Sequence, residues 1–254
     1  MKQSLLSLLL SLTLLGSLSA CQSPSVQEPA PEEPESPELA LTVRAATGSA
    51  TEIPKEAIYD KSPFLTEADG WRYYCGTVSY EGQTFAMVWR ERNGAHESLC
   101  SVHQPQGEHL PQHTLTYQMG AEESGGRFLY FSIRSGQTGE QSLWMLDTQE
   151  IMFDQMYAGP CSNLVKPQAP GQDWQGLGWL LYNRYLIPID LDQGSEYTAG
   201  IQELSQSSFA GENGVTGNVE LVDAGNDCLQ IIRMPGTEQE KTYLVNYTDG
   251  SILE

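Results

Sequence analysis

From about residue 64 onward the chain repeats one grammar: an aromatic or β-branched run, a short turn holding glycine, and a second such run. Trp71 to Tyr80 (WRYYCGTVSY), the link Glu81-Gly82 and Gln83 to Arg90 (QTFAMVWR) form the first unit. This is a β-hairpin signal, because a two-residue link with glycine supplies the positive φ that a tight hairpin turn needs. Arg127 to Arg134 (RFLYFSIR), a polar Gly-rich turn at 135–140 and Ser142 to Thr148 (SLWMLDT) form the second; Cys228 to Arg233, a turn at Pro235-Gly236 and Thr242 to Thr248 (TYLVNYT) form the third. A less regular unit runs from Trp179 to Leu191. The second and third units superpose without gaps at an offset of 100, matching Leu129 with Leu229, Gly136 with Gly236, Glu140 with Glu240 and Thr148 with Thr248. Starts near 71, 127, 179 and 226 set a spacing of about 50 residues, which predicts repeated antiparallel β units.

The expected class is therefore all-β. The run Leu143 to Thr148 breaks at Asp-Thr before another polar turn and resembles the inner strands of a β-propeller blade. That resemblance is to an architecture. Propellers use 4 to 8 blades of about four strands, so the patterned part has room for about four such units; a β-sandwich and a curled meander stay open as alternatives. Helical signals are confined to Pro54 to Tyr59, with proline at a plausible first turn, and to Ala199 to Phe209.

The chain has 254 residues with 33 acidic and 13 basic side chains, a formal charge of −20. Binding to nucleic acid or to anionic lipid headgroups relies on clustered Lys and Arg, so this balance excludes nucleic-acid partners. Residues 1–38 differ in composition from the remainder, which leaves 39–254 as a single all-β domain.

Residues 1–20 read as a secretory signal peptide: Lys2 supplies the positive end, and Leu5 to Leu18 an apolar stretch too short to favour a membrane span. It ends in Leu18-Ser19-Ala20-Cys21, which resembles the lipobox of bacterial lipoproteins. The resemblance implies acylation of the Cys21 thiol, cleavage before it, and a lipid anchor on the extracytoplasmic face of the cell membrane, or in the outer membrane of an organism that has one. Gln22 stands where an inner-membrane retention signal would place Asp. Acyl chains contribute about 0.8 kcal/mol per buried CH₂, so a multiply acylated cysteine holds a soluble domain without a spanning helix. Residues 22–38 (QSPSVQEPAPEEPESPE) carry five Pro and five Glu with almost nothing apolar. They cannot bury a core and are expected to be a disordered stalk, with an extended reach of about 50 Å at polyproline spacing.

Four cysteines remain in the domain: Cys75, Cys100, Cys161 and Cys228. In an exported chain this permits two disulfides, and Cys75 with Cys100 and Cys161 with Cys228 is the favoured pairing, against buried free thiols. All four histidines, His96, His103, His109 and His113, fall within 18 residues, with Cys100 among them. Imidazole and thiolate are Zn or Cu ligands, which makes these five a metal-site candidate, against a reading as a polar loop broken by Pro105 and Pro111. Asp190-x-Asp192-x-Gly194-x-Glu196 departs from a calcium loop at Gly194 and at Ile201, and reads as an acidic hairpin turn. Trp174 and Trp179 flank a Gly-rich stretch where a loop could present them to a glycan, although most aromatics in β proteins are core. No nucleophile elbow, zinc-protease helix, phosphate loop or dinucleotide fingerprint occurs. No cofactor is expected. The residues point to a membrane-anchored, non-catalytic binding or assembly module of the cell envelope whose partner is an envelope protein or glycan; the alternative is a surface hydrolase or metal-dependent enzyme with a pocket in the β domain.

Overall fold

The computed structural model describes residues 51–60, 63–104, 113–120, 125–159, 161–204 and 218–253. The signal peptide, the lipobox with Cys21, the stalk, His109 and positions 205–209 of the second helical expectation lie outside the described residues. The all-β expectation holds. The strands form separate antiparallel sheets, one for each expected repeat, and none closes into a barrel.

The first sheet contains β1 (Thr51–Glu52), β2 (Ile58–Asp60), β3 (Phe64–Ala68), β4 (Trp71–Tyr80), β5 (Gln83–Arg92) and β6 (Ala95–Gln104), in the order β1-β6-β5-β4-β2, with β3 also on β4. The second is the meander β7 (Thr114–Gly120), β8 (Phe128–Arg134), β9 (Gln141–Asp147) and β10 (Met152–Tyr157). The third pairs β11 (Leu177–Tyr182) with β12 (Tyr185–Asp190), and β12 with the short β13 (Ser195–Glu196) and β14 (Gln202–Glu203). The fourth runs β15 (Val219–Gly225), β16 (Cys228–Arg233), β17 (Lys241–Asn246) and β18 (Ile252–Leu253) in order. Each hairpin legible in the sequence is the central pair of one sheet: β4/β5, β8/β9, β11/β12 and β16/β17.

Successive sheets share cores, because alternate residues of a strand point to opposite faces. Leu129 and Phe131 of β8 join Tyr73, Cys75, Val88 and Cys100 of the first sheet. Phe128 and Tyr130, on the other face of the same strand, join Leu180, Ile187 and Ile189 of the third. Trp179 and Leu181 of β11 turn to Leu221, Leu229, Ile231 and Val245 of the fourth. The two middle sheets are thus apolar on both faces, which is why FLYFSIR and LGWLLY are continuous apolar runs instead of alternating ones. Several polar groups tie these interfaces together. The Tyr73 hydroxyl donates to the Thr148 carbonyl at 3.1 Å and the Tyr130 hydroxyl to the Leu191 carbonyl at 3.0 Å. Asn163 accepts from the Leu221 N–H at 2.8 Å and donates to the Leu221 carbonyl at 2.9 Å.

The helix expected over Pro54 to Tyr59 is not formed. Its start is a single turn closed by Ala57 N–H to the Pro54 carbonyl at 3.1 Å, and Ile58–Asp60 is β2, paired with Thr77, Val78 and Ser79. Isolated helices this short are marginal, and pairing with β4 satisfies the same backbone groups while burying Ile53 and Ala57. In the other helical stretch, Thr198–Gly200 is one 3₁₀ turn, followed by β14.

Candidate functional site

The two faces of β4 and β5 are both apolar, and only one of them meets the second sheet. On the outward face Val78 and Met87 are buried, flanked by the half-buried Tyr80 and Phe85. The segment after β1 crosses this face: β1 pairs Glu52 with Glu97, and the Ile53 N–H donates to the His96 carbonyl at 2.9 Å. Pro54 then turns the chain back toward β2, so Ile53 and Pro54 wall off a cavity of about 220 Å³ over β5 and β6. Ile53, Val78, Tyr80, Phe85, Met87 and Leu99 supply its apolar lining, and Glu52, Ser98 and Ser101 its polar rim. Beside it lies a stack in which Tyr59 meets Trp89 at 5.3 Å and His96 at 4.7 Å, and Tyr74 lies on Trp89 at 5.6 Å.

The rim is acidic. The Tyr80 hydroxyl donates to Glu81 Oε1 at 3.0 Å; that bond, with partial burial and the negative charges of Glu81 and Glu56, pushes the phenol above its ordinary range. The nearby ion pair of Arg90 with Glu97, at 2.7 Å, belongs to the opposite face of the hairpin, where Arg90 lies over Trp71. A concave apolar site with few polar groups at its mouth is the usual form of a small-ligand pocket.

A second cavity, of about 520 Å³, lies where β3, β7 and β8 approach Lys166, lined by Leu65, Thr66, Tyr117, Met119, Gly126 and Leu129. Gly126 is required there. Its φ is +83°, and any Cβ would strike the side chain of Thr66.

Of the proposed metal ligands, His109 lies outside the described residues, and the strand positions of the others set them apart. His96 lies on the outward face of β6 against Tyr59, with Nε2 3.9 Å from Glu91. Cys100 is in the core of the opposite face, and His103 pairs with Phe85 near the far end of the strand, roughly 20 Å from His96 at strand spacing. His113 is half-buried just before β7. Among the described residues no three of His, Cys, Asp and Glu stand together as a metal site. An extended β6 separates these residues, where the metal reading needed a turn.

The cysteines stand as free thiols, all buried, in place of the two expected bridges. Cys75 and Cys100 each pair with Val88 from opposite sides of β5, about 10 Å apart at two strand spacings, beyond the reach of a disulfide. Cys161 donates through its thiol to the Gln141 carbonyl at 3.0 Å, at the junction of the second and third sheets, while Cys228 lies on β16. Burial pushes the Cys75 thiol up to about 11 and those of Cys100 and Cys161 up to about 12. Thiols so poised are inert.

The acidic turn is a turn: Asp190 Oδ1 accepts the N–H groups of Asp192 at 3.1 Å and Gln193 at 3.0 Å, and Glu196 bonds the Tyr157 hydroxyl. Trp179 is fully buried and belongs to the core, while the half-buried Trp174 packs against Trp179, Tyr197 and Tyr247, so the two tryptophans do not form a shared exposed platform. The pocket over β5 was not legible as a site, because its wall comes from the Ile53-Pro54 crossing. The available signal was the hairpin itself, apolar at both alternations: Tyr73, Cys75, Ala86 and Val88 on one face, Val78, Tyr80, Phe85 and Met87 on the other.

No protein-family model matches the chain, and no curated protein matches it.

Proposed function

We propose that this protein is a lipid-anchored, extracytoplasmic binding module, non-catalytic, tethered through Cys21 and held off the membrane by the Pro/Glu stalk. Its ligand enters the apolar cavity over β5. The observation that carries the reading is that cavity: an apolar lining with a carboxylate and two serine hydroxyls at the rim, and no nucleophile paired with a base. Such a lining binds by burying apolar surface. Among the described residues no helix is long and apolar enough to cross a membrane, in keeping with a lipid anchor.

We further propose that the sheets are blades of an open, propeller-like array. The sequential stacking of sheets supports this, as does the convergence of β3, β7 and Lys166 on the larger cavity. The fourth sheet joins the segment after Cys161 through Asn163 to Leu221, and through the Gln168 N–H to Asp223 at 2.9 Å.

Two measurements test the function. Cell fractionation places the wild type with membranes and Cys21→Ser in the soluble fraction; a membrane-bound Cys21→Ser chain refutes the anchor. Titration of the soluble Cys21→Ser chain with a neutral apolar probe, decanol, gives saturable binding and a raised Tm by linkage. Absence of saturable binding refutes the binding module.

A further inference from the structure

The one charged residue that lines the apolar cavity is an acid. Glu52 lines the mouth, and the adjoining Tyr80 donates to Glu81 and feels the charge of Glu56. Lys55, next to Pro54 in sequence, is the one cation of the crossing segment, and Arg90 lies on the opposite face of the hairpin, over Trp71. The whole chain adds a background charge of −20. An apolar ligand with an anionic head, such as a fatty acid, would bring like charge to this rim, whereas a cationic head would meet Glu52 and its acidic neighbours. The cavity also has an apolar floor, Val78 and Met87, with no polar side chain to hold a buried head group, so a head must stay at the rim while the hydrocarbon enters.

Resting on the pocket reading above, we infer that the cavity selects a cationic amphiphile: a short alkyl or aromatic body seated on Val78 and Met87, with an ammonium-type head held at the rim by Glu52. A small organic amine with an apolar body offers that chemistry. The Ser98 and Ser101 hydroxyls add acceptors for its N–H groups.

The test titrates the full chain carrying Cys21→Ser with decyltrimethylammonium, decanol and decanoate by calorimetry, below aggregate-forming concentrations, at low and physiological salt. The cation is expected to bind about tenfold tighter than decanoate, with the alcohol between them, and the gap is expected to narrow as salt rises. Glu52→Gln with Glu56→Gln should shrink the ratio of cation to decanoate affinity; both positions are exposed, so folding is not at risk. Ser101→Trp, which fills the cavity from its half-buried rim, should abolish binding of all three with Tm retained. Decanoate binding as tightly as the cation overturns the inference and leaves the binding module standing. Undiminished binding to a folded Ser101→Trp chain overturns it too, since the ligand then sits elsewhere. Failure of all three probes to bind the unmodified pocket refutes the binding module itself.

Discussion

Asp147 shows how one side chain fixes a junction. Its side chain is 4% exposed, and it accepts from Arg127 at 2.7 Å as well as from the N–H groups of Gln149 at 2.9 Å and Glu150 at 3.2 Å. It thereby closes the turn from β9 to β10, while the next residue, Thr148, receives the Tyr73 hydroxyl from the first sheet. Burial alone would push the carboxyl up; the hydrogen bonds from Arg127 and the two amides outweigh it and hold the group below the ordinary carboxylate range. A depressed folded value contributes stability that is present above the unfolded value, near 3.9, and lost as pH falls through the folded one. Asp147→Asn is therefore expected to destabilise by about 1 to 2 kcal/mol at pH 7. Denaturant midpoints of the two chains should converge as pH is lowered below about 4. A gap that persists in acid would mean that the cost is steric and unconnected with the carboxylate charge.

At the scale of elements, the turns say most about what a sequence can reveal. Asp69-Gly70, Glu81-Gly82 and Asn93-Gly94 link β3 to β6, and each has positive φ at both residues, the geometry of a type I′ hairpin. Asp and Asn tolerate that conformation because their short side chains bond locally; Glu81, at φ +48°, does not share that property. Glu81→Asn is expected to raise stability by about 0.5 to 1 kcal/mol, read as a higher denaturant midpoint with an unchanged slope. No change would show that the Tyr80 to Glu81 hydrogen bond offsets the strain. The central hairpins were legible because glycine-bearing turns and doubly apolar runs are local signals. The flanking strands β1, β2, β13, β14 and β18 have two or three residues each and exist only because a neighbour offers an edge, a nonlocal cause that no local pattern carries. For the same reason β6 was misread. His96, Cys100 and His103 suggest a ligand loop in sequence, but nine of the ten residues from Ala95 to Gln104 pair with β5, the exception lying at the bulge opposite Val88 and Trp89.

At the scale of the whole array, faces between successive sheets are covered and the terminal faces are not treated alike. The outward face of the first sheet is capped by Ile53, Ala57 and Tyr59. The outward face of the fourth has a cross-strand row, Val222, Gln230, Leu244 and Leu253, in which the three aliphatic residues are 37%, 36% and 42% exposed. One residue along, Ile231 points inward and is fully buried with Trp179 and Leu221. Strand periodicity therefore assigns opposite consequences to neighbouring substitutions. Lysine at 222 and 244 places an ammonium where it stays hydrated, so Val222→Lys with Leu244→Lys is expected to change stability by no more than about 1 kcal/mol. Ile231→Lys forces an unpaired charge into the core between the third and fourth sheets, a cost of several kcal/mol that should leave the chain unfolded or severely destabilised. Circular dichroism melts of the three chains decide the matter. If the double lysine chain unfolds as Ile231→Lys is expected to, the outward face of the fourth sheet is not an end of the array, and a further surface covers it.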